Sequence, residues 1–167
     1  MNKSKTKSKG ENRIELGKLH HICLAVKDVE KTAKAFSAIF GISPFKMGLF
    51  ETPSTMGILY GKPQGWRIKI GNTKVSPIVL ELQQTVGGET ASNDFLKIKG
   101  EGLHHIAFEC NPPIDDEIAK WKRNGIEALQ IDKSFDDPRY GWAYMDTSNL
   151  VGCILELLCL PPNKRDM

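Results

Sequence analysis

The sequence predicts an α+β protein built from two paired βαβββ modules that form one shared curved sheet and the cleft it encloses. Three observations predict it. Leu19-His20-His21-Ile22-Cys23-Leu24-Ala25-Val26 is echoed by Leu103-His104-His105-Ile106-Ala107-Phe108-Glu109-Cys110, and all four histidines of the chain lie in those two stretches. A second pair, Ile78-Val79-Leu80-Glu81-Leu82-Gln83 and Cys153-Ile154-Leu155-Glu156-Leu157-Leu158, repeats later in the same order, with copies 84 residues apart at the histidines and 75 at the glutamates. Each first stretch is followed by a helix pattern and several short strand patterns. A unit of this size cannot bury a sheet alone, so the two copies are expected to pack together.

The elements follow in order. Residues 1–13 carry Lys3, Lys5, Lys7, Lys9 and Arg13 against Glu11, and read as a disordered basic tail. The first module spans 17–88. Leu19–Val26 is its first strand, Asp28 is an N-cap, and Val29, Thr32, Ala33, Phe36, Ile39 and Phe40 recur at helical spacing up to a stop at Gly41. Strands are expected around Phe45–Phe50, Gly57–Tyr60, Trp66–Ile70 and Ile78–Gln83, separated by Pro and Gly turns. Residues 89–99 form a polar linker with a short helix near Asp94–Ile98, and the second module spans 100–160. It repeats the order with a strand at Leu103–Cys110, a helix from Asp115 through Ile118, Ala119 and Trp121 to Asn124-Gly125, and strands at Ile126–Ile131, Tyr140–Asp146 and Gly152–Leu160.

Composition narrows the classes. The 167-residue chain is 40% hydrophobic, enough for a core, and no run approaches the length of a membrane helix. The formal charge of +3 comes from a tail of net +4, which leaves the body at −1. The body does not interleave aromatic and basic residues, so neither nucleic acid nor membrane is expected as a partner. The start lacks the apolar segment of a secretory signal, and Cys23, Cys110, Cys153 and Cys159 lack CxxC spacing, so the expectation is a cytoplasmic protein with buried or half-buried reduced thiols.

Strand parity points to chemistry. Alternation places His20, Ile22, Leu24 and Val26 on one face and His21, Cys23 and Ala25 on the other; likewise His104 goes with Ile106 and Phe108, and His105 with Ala107 and Glu109. Glu81 opposes Leu80 and Leu82, and Glu156 opposes Leu155 and Leu157. Each copy therefore turns one imidazole and one carboxylate away from its helix. His21, Glu81, His105 and Glu156 would make a mixed N/O set for a divalent ion such as Co, Mn, Ni, Zn or Fe. Such an ion also relieves the repulsion of two carboxylates in one cavity.

These stretches, with Val26-Lys27-Asp28-Val29-Glu30, Phe40-Gly41-Ile42, Gln64-Gly65, Gly71-Asn72-Thr73-Lys74 and Gly100-Glu101-Gly102 before Leu103, resemble the vicinal-oxygen-chelate superfamily of glyoxalases, bleomycin-resistance proteins and dioxygenases. Within it the resemblance is to methylmalonyl-CoA epimerases and glyoxalase-like proteins, over about residues 17–160. It implies His21, Glu81, His105 and Glu156 as metal ligands. It also implies a metal-dependent isomerase or lyase that stabilises an enolate during proton transfer alpha to a carbonyl, with an acyl-CoA thioester or 2-oxo compound as substrate and a homodimer as assembly. Glu81 and Glu156 are the candidate proton carriers, with Glu51 and Glu109 as weaker alternatives. Some epimerases carry a glutamate after Gln-Gly, whereas the matching stretch Trp66–Ile70 has no carboxylate. The rival readings are an Fe(II) extradiol-type dioxygenase, which uses two His and one carboxylate, and a non-enzymatic ligand-sequestering protein of the same fold.

Overall fold

A computed structural model of the chain describes residues 13–134 and 136–164. The expected tail, apart from Arg13, lies outside the described residues. Ten strands form one sheet in the order β2-β5-β6-β1-β7-β10-β9-β8-β3-β4. They are β1 (Leu19–Ala25), β2 (Lys46–Thr52), β3 (Gly57–Leu59), β4 (Lys62–Pro63), β5 (Trp66–Val75), β6 (Ile78–Gly88), β7 (Gly102–Glu109), β8 (Ala128–Lys133), β9 (Gly141–Met145) and β10 (Ile154–Cys159). Among the described residues, helices α1 (Val29–Phe40), α2 (Ala91–Lys99), α3 (Ile114–Lys122) and α4 (Ser148–Val151) and a short 3₁₀ turn at Pro162–Lys164 accompany the sheet.

The centre of the sheet is symmetric. β1 runs parallel to β6, β7 runs parallel to β10, and β1 and β7 meet antiparallel at the seam. The sheet curls into a half-barrel because β2 and β3, near opposite ends of the strand order, are joined through residues 53–56 alone. β3 leaves the first half of the chain to pair with β8 of the second. Thr52 Oγ1 donates to Asp132 Oδ2 at 2.6 Å, tying the two margins.

Two helices cover the convex side. In α1 the Asp28 side chain accepts from the Lys31 N–H, and Gly41 closes the helix in the left-handed conformation (φ 68°) that glycine adopts without a Cβ clash. Val29 and Ala33 bury against Val26 and Leu82. The apolar stripe continues to Ile39 and Phe40, but these are 72% and 66% exposed, because α1 packs on β5 and β6 while its last turn lies beyond cover. In α3, Asp115, Asp116 and Glu117 lie at the N-terminus and Lys120 and Lys122 at the C-terminus, which complements the helix dipole. Ile114, Ile118 and Trp121 pack on Ala143, Met145, Leu157 and Cys159. Trp121 is 2% exposed, so Trp121→Ala is expected to cost about 3–5 kcal/mol, read as a lower urea midpoint; an unchanged midpoint would contradict this packing.

The strands run longer than the sequence pattern suggested. β5 and β6 continue to Val75 and Gly88, since Ser76 and Pro77 make only a tight turn between them. The linker helix begins at Ala91, capped by Thr90, whose hydroxyl accepts from the Asn93 N–H while the Asn93 side chain accepts from the Thr90 N–H. Among the described residues no helix is long and apolar enough to cross a membrane.

Candidate metal centre

The four central strands each supply one candidate ligand to the concave face. Residues paired across a ladder share a face. One row runs Glu81, Cys23, His105 across β6, β1 and β7; the next runs His21, Ala107, Glu156 across β1, β7 and β10. In each row the outer two side chains come from strands two apart, about 9.5 Å at backbone level. They can lean together because the middle positions, Cys23 and Ala107, are small, fully buried residues at matching points of the two copies. Ala107→Leu would fill the space between His21 and Glu156. It is expected to cost about 1–3 kcal/mol of stability and to abolish Co(II) binding in a calorimetric titration; retained binding would refute the row argument.

The side chains converge. His21 Nε2 lies 3.0 Å from His105 Nε2, and Glu156 Oε2 lies 3.0 Å and 3.1 Å from the two nitrogens. Glu81 Oε1 is 3.9 Å from each nitrogen. His21, Glu81 and His105 each offer a donor atom within 4.8 Å of the others, and Glu156 lies beside the two imidazoles. Donors held about 2.1 Å from a shared ion are separated by about 3.0–3.4 Å in octahedral or tetrahedral geometry; the contacts among His21, His105 and Glu156 match that spacing, and Glu81, at 3.9 Å, would have to move inward to complete the set. A further sign is Glu156 Oε2, which is buried yet receives no well-directed hydrogen bond.

Electrostatics agree with that fit. Burial opposes a charge on His21, but the Glu156 and Glu81 carboxylates outweigh it and push its pKa up to about 9. Burial likewise opposes the Glu156 charge, but His105 and His21 hold its carboxyl well below the usual carboxylate range. In the absence of a dication, a proton on His21 supplies the positive charge the cluster needs.

Surrounding groups lock this arrangement. Gln83, 1% exposed, accepts from the Tyr144 hydroxyl (3.0 Å) and the Cys23 thiol (3.6 Å) and donates to Ser92 Oγ (3.0 Å). The Tyr144 ring lies 4.7 Å from that of His105, centroid to centroid. Burial pushes the Tyr144 hydroxyl and the Cys23 thiol well above their ordinary ranges, so both remain protonated donors. Strand parity places Gln83 with Glu81 and Cys23 with His21, whereas Ser92 carries no signal beyond its residue type.

Three expectations need correction. Simple alternation sent His20 and His104 to the helix-facing side. Instead, β1 and β7 pair with two register shifts that leave both residues without a ladder partner, each the extra residue of a β-bulge. His104 is fully buried, its ring against Tyr144 and Phe95, and burial lowers its pKa well below the usual imidazole range, so it is neutral. Glu51 is exposed and pairs in register with Arg67, on the face of β2 opposite Thr52, while Glu109 forms an ion pair with Lys18 at 3.5 Å, so neither joins the cluster. Trp66 and Ile68 fill the concave side with Leu59, Ala91, Tyr144 and Ile154.

The family model of the glyoxalase/bleomycin resistance protein/dioxygenase superfamily matches residues 20–144, which include three of the four clustered residues. The chain belongs to that superfamily. The curated relatives it resembles include the mitochondrial methylmalonyl-CoA epimerase of Homo sapiens, 28% identical over 115 residues, covering 68% of this chain and 57% of that protein. The uncharacterized protein YqjC of Bacillus subtilis is 24% identical over 96 residues, with 58% of this chain and 59% of that protein covered. The chain thus spans a little over half the length of these relatives. Among solved structures, a hypothetical protein from Bacillus halodurans superposes with a TM-score of 0.60 at 21% identity, over 86% of this chain and 94% of that chain. A variant of Streptomyces coelicolor methylmalonyl-CoA epimerase, in complex with 2-nitronate-propionyl-CoA, does so with a TM-score of 0.61 at 19% identity, over 89% and 97%. At these identities the structural likeness establishes the superfamily's curled sheet and no particular reaction.

Proposed function

We propose that the protein is a divalent-metal-dependent isomerase or lyase that moves a proton alpha to a carbonyl, in the manner of a methylmalonyl-CoA epimerase. The observation that carries the reading is the meeting of two imidazoles and two carboxylates from both halves of the chain at donor spacings of 3.0–3.9 Å. Support for an acyl-CoA substrate comes from the similar structures, one of which is a methylmalonyl-CoA epimerase in complex with methylmalonyl-CoA; a 2-oxo compound offers the same α-proton beside a carbonyl.

In this reading His21, His105, Glu81 and Glu156 hold the ion, whose Lewis acidity would lower the cost of removing a proton beside a carbonyl by several kcal/mol. The two carboxylates differ in environment. Glu156 has a 5% exposed side chain packed against both imidazoles and serves as a fixed anion. Glu81 is more distant, at 3.9 Å, and 13% exposed, which suits the carboxylate that takes and returns the proton. The Leu59, Trp66, Ile68 and Ile154 side chains keep bulk water from the concave side. A fourth protein donor at Glu81 speaks against the dioxygenase reading, which needs open positions for oxygen.

The cytoplasm, which suits the buried thiols of Cys23 and Cys153, belongs to the same proposal. So does a homodimer, with the unpaired edge of β2 and its exposed Met47, Leu49 and Phe50 as the surface it would cover.

The test is deuterium exchange from solvent into a panel of acyl-CoA thioesters and 2-oxo compounds with added Co(II). Exchange at the α-carbon, lost with Glu81→Gln, is expected. Failure of the whole panel to exchange while Co(II) is bound would contradict the proposed reaction.

A further inference from the structure

The two bulges at the seam of the half-barrel carry an inference that deepens the proposed function and rests on reading the cluster as a metal centre. His20 and His104 are the unpaired residues of those bulges, 84 positions apart like the histidines that follow them. A bulge re-aims a side chain, and here it turns each leading histidine so that its Nδ1 meets the Nδ1 of the next residue. The separations are 2.9 Å for His20 and His21 and 2.8 Å for His104 and His105.

Two ring nitrogens at that distance form a hydrogen bond only when one carries the proton and the other does not. His105 directs Nε2 at His21 and Glu156, and a ligand nitrogen must present its lone pair, so its ring proton belongs on Nδ1. His105 Nδ1–H then donates to His104 Nδ1, which as the acceptor carries no proton, so the His104 proton lies on Nε2. That nitrogen lies 3.5 Å from Ser92 Oγ. Gln83 Nε2 donates to the same Ser92 hydroxyl, which fixes the start of α2 over the ring.

We propose that His104 is a positioning residue whose ring, held by the first turn of α2, sets His105 in the Nδ1–H tautomer and so aims its Nε2 lone pair at the metal position. His20 stands in the matching place for His21 but is only half-buried, so the device is asymmetric, and the second copy is the one the protein itself orients.

The tautomers are read directly from long-range proton–nitrogen correlation spectra of the protein, metal-free and zinc-loaded. His105 protonated on Nδ1 and His104 on Nε2 are expected in both states; His105 protonated on Nε2 in the metal-free protein overturns the proposal whether or not metal binds. His104→Phe is expected to weaken zinc binding about 10- to 100-fold, measured against a competing chelator, as loss of a ligand's hydrogen-bond partner does elsewhere. His104→Asn, which keeps an acceptor near the Nδ1 position, restores most of the affinity; His104→Phe binding as tightly as the parent overturns the proposal. Failure of the unsubstituted protein to bind zinc counts instead against the metal reading, and the metal-free spectra still decide the relay.

Discussion

His21→Ala is expected to strip the protein of its divalent-ion affinity and to destabilise the metal-free fold at once. Loss of one of four donors removes several kcal/mol of ion binding, about a thousandfold or more at 1.4 kcal/mol per tenfold. In the metal-free protein His21 is also the charged partner of Glu156, with both side chains under a tenth exposed. Removing one member of a buried pair leaves the other uncompensated, which costs about 3–5 kcal/mol. Urea denaturation in the presence of a chelator reads the second effect, and Co(II) titration the first. A variant as stable as the parent would mean that the pair is not formed.

The second large effect is a pH dependence with opposite signs for stability and for metal binding. The folded pKa of His21, about 9, stands above the ordinary 6.5, so its contribution to metal-free stability is complete below pH 6.5 and disappears as pH rises through 9. At 1.36 kcal/mol per unit the loss is about 3 kcal/mol. The folded pKa of Glu156 is depressed from 4.5, so its contribution is present above that pH and is lost as pH falls. Metal-free protein is therefore expected to be most stable between about pH 4.5 and 6.5. An incoming ion must displace the His21 proton. Apparent affinity should thus rise about tenfold per pH unit up to pH 9, with about one proton released per ion at pH 7, measured by calorimetry in buffers of different ionisation enthalpy. Pure alkaline stabilisation of the metal-free protein, or metal uptake without proton release, would contradict the pairing.

The cluster was legible in the sequence because repetition and strand parity operate on the residues that alternate normally. His21, Cys23 and Ala25 share the concave face, as do Glu81 and Gln83, and Glu156 with Ile154. Parity failed at His20 and His104 because a bulge adds one residue to one strand, and nothing in Leu-His-His-Ile distinguishes the bulged histidine from its neighbour. The crossing of β3 to β8 was equally hidden. Gly57–Leu59 reads as a short strand wherever it lies, and its partner is chosen by closure of the half-barrel over Trp66 and Tyr144 rather than by a local signal. Ser92 looked like linker because its polar neighbours Thr90 and Asn93 resemble a loop, although together they form the cap that starts α2.

The central claim is that both halves of the chain grip one ion, and anomalous diffraction from Co(II)-loaded crystals at the cobalt edge tests it most directly. A single peak per chain within bonding distance of His21 Nε2, His105 Nε2, Glu81 and Glu156 is the predicted result. A crystal that takes up cobalt at other side chains, with His21 and His105 still in direct contact and no peak between them, would contradict it.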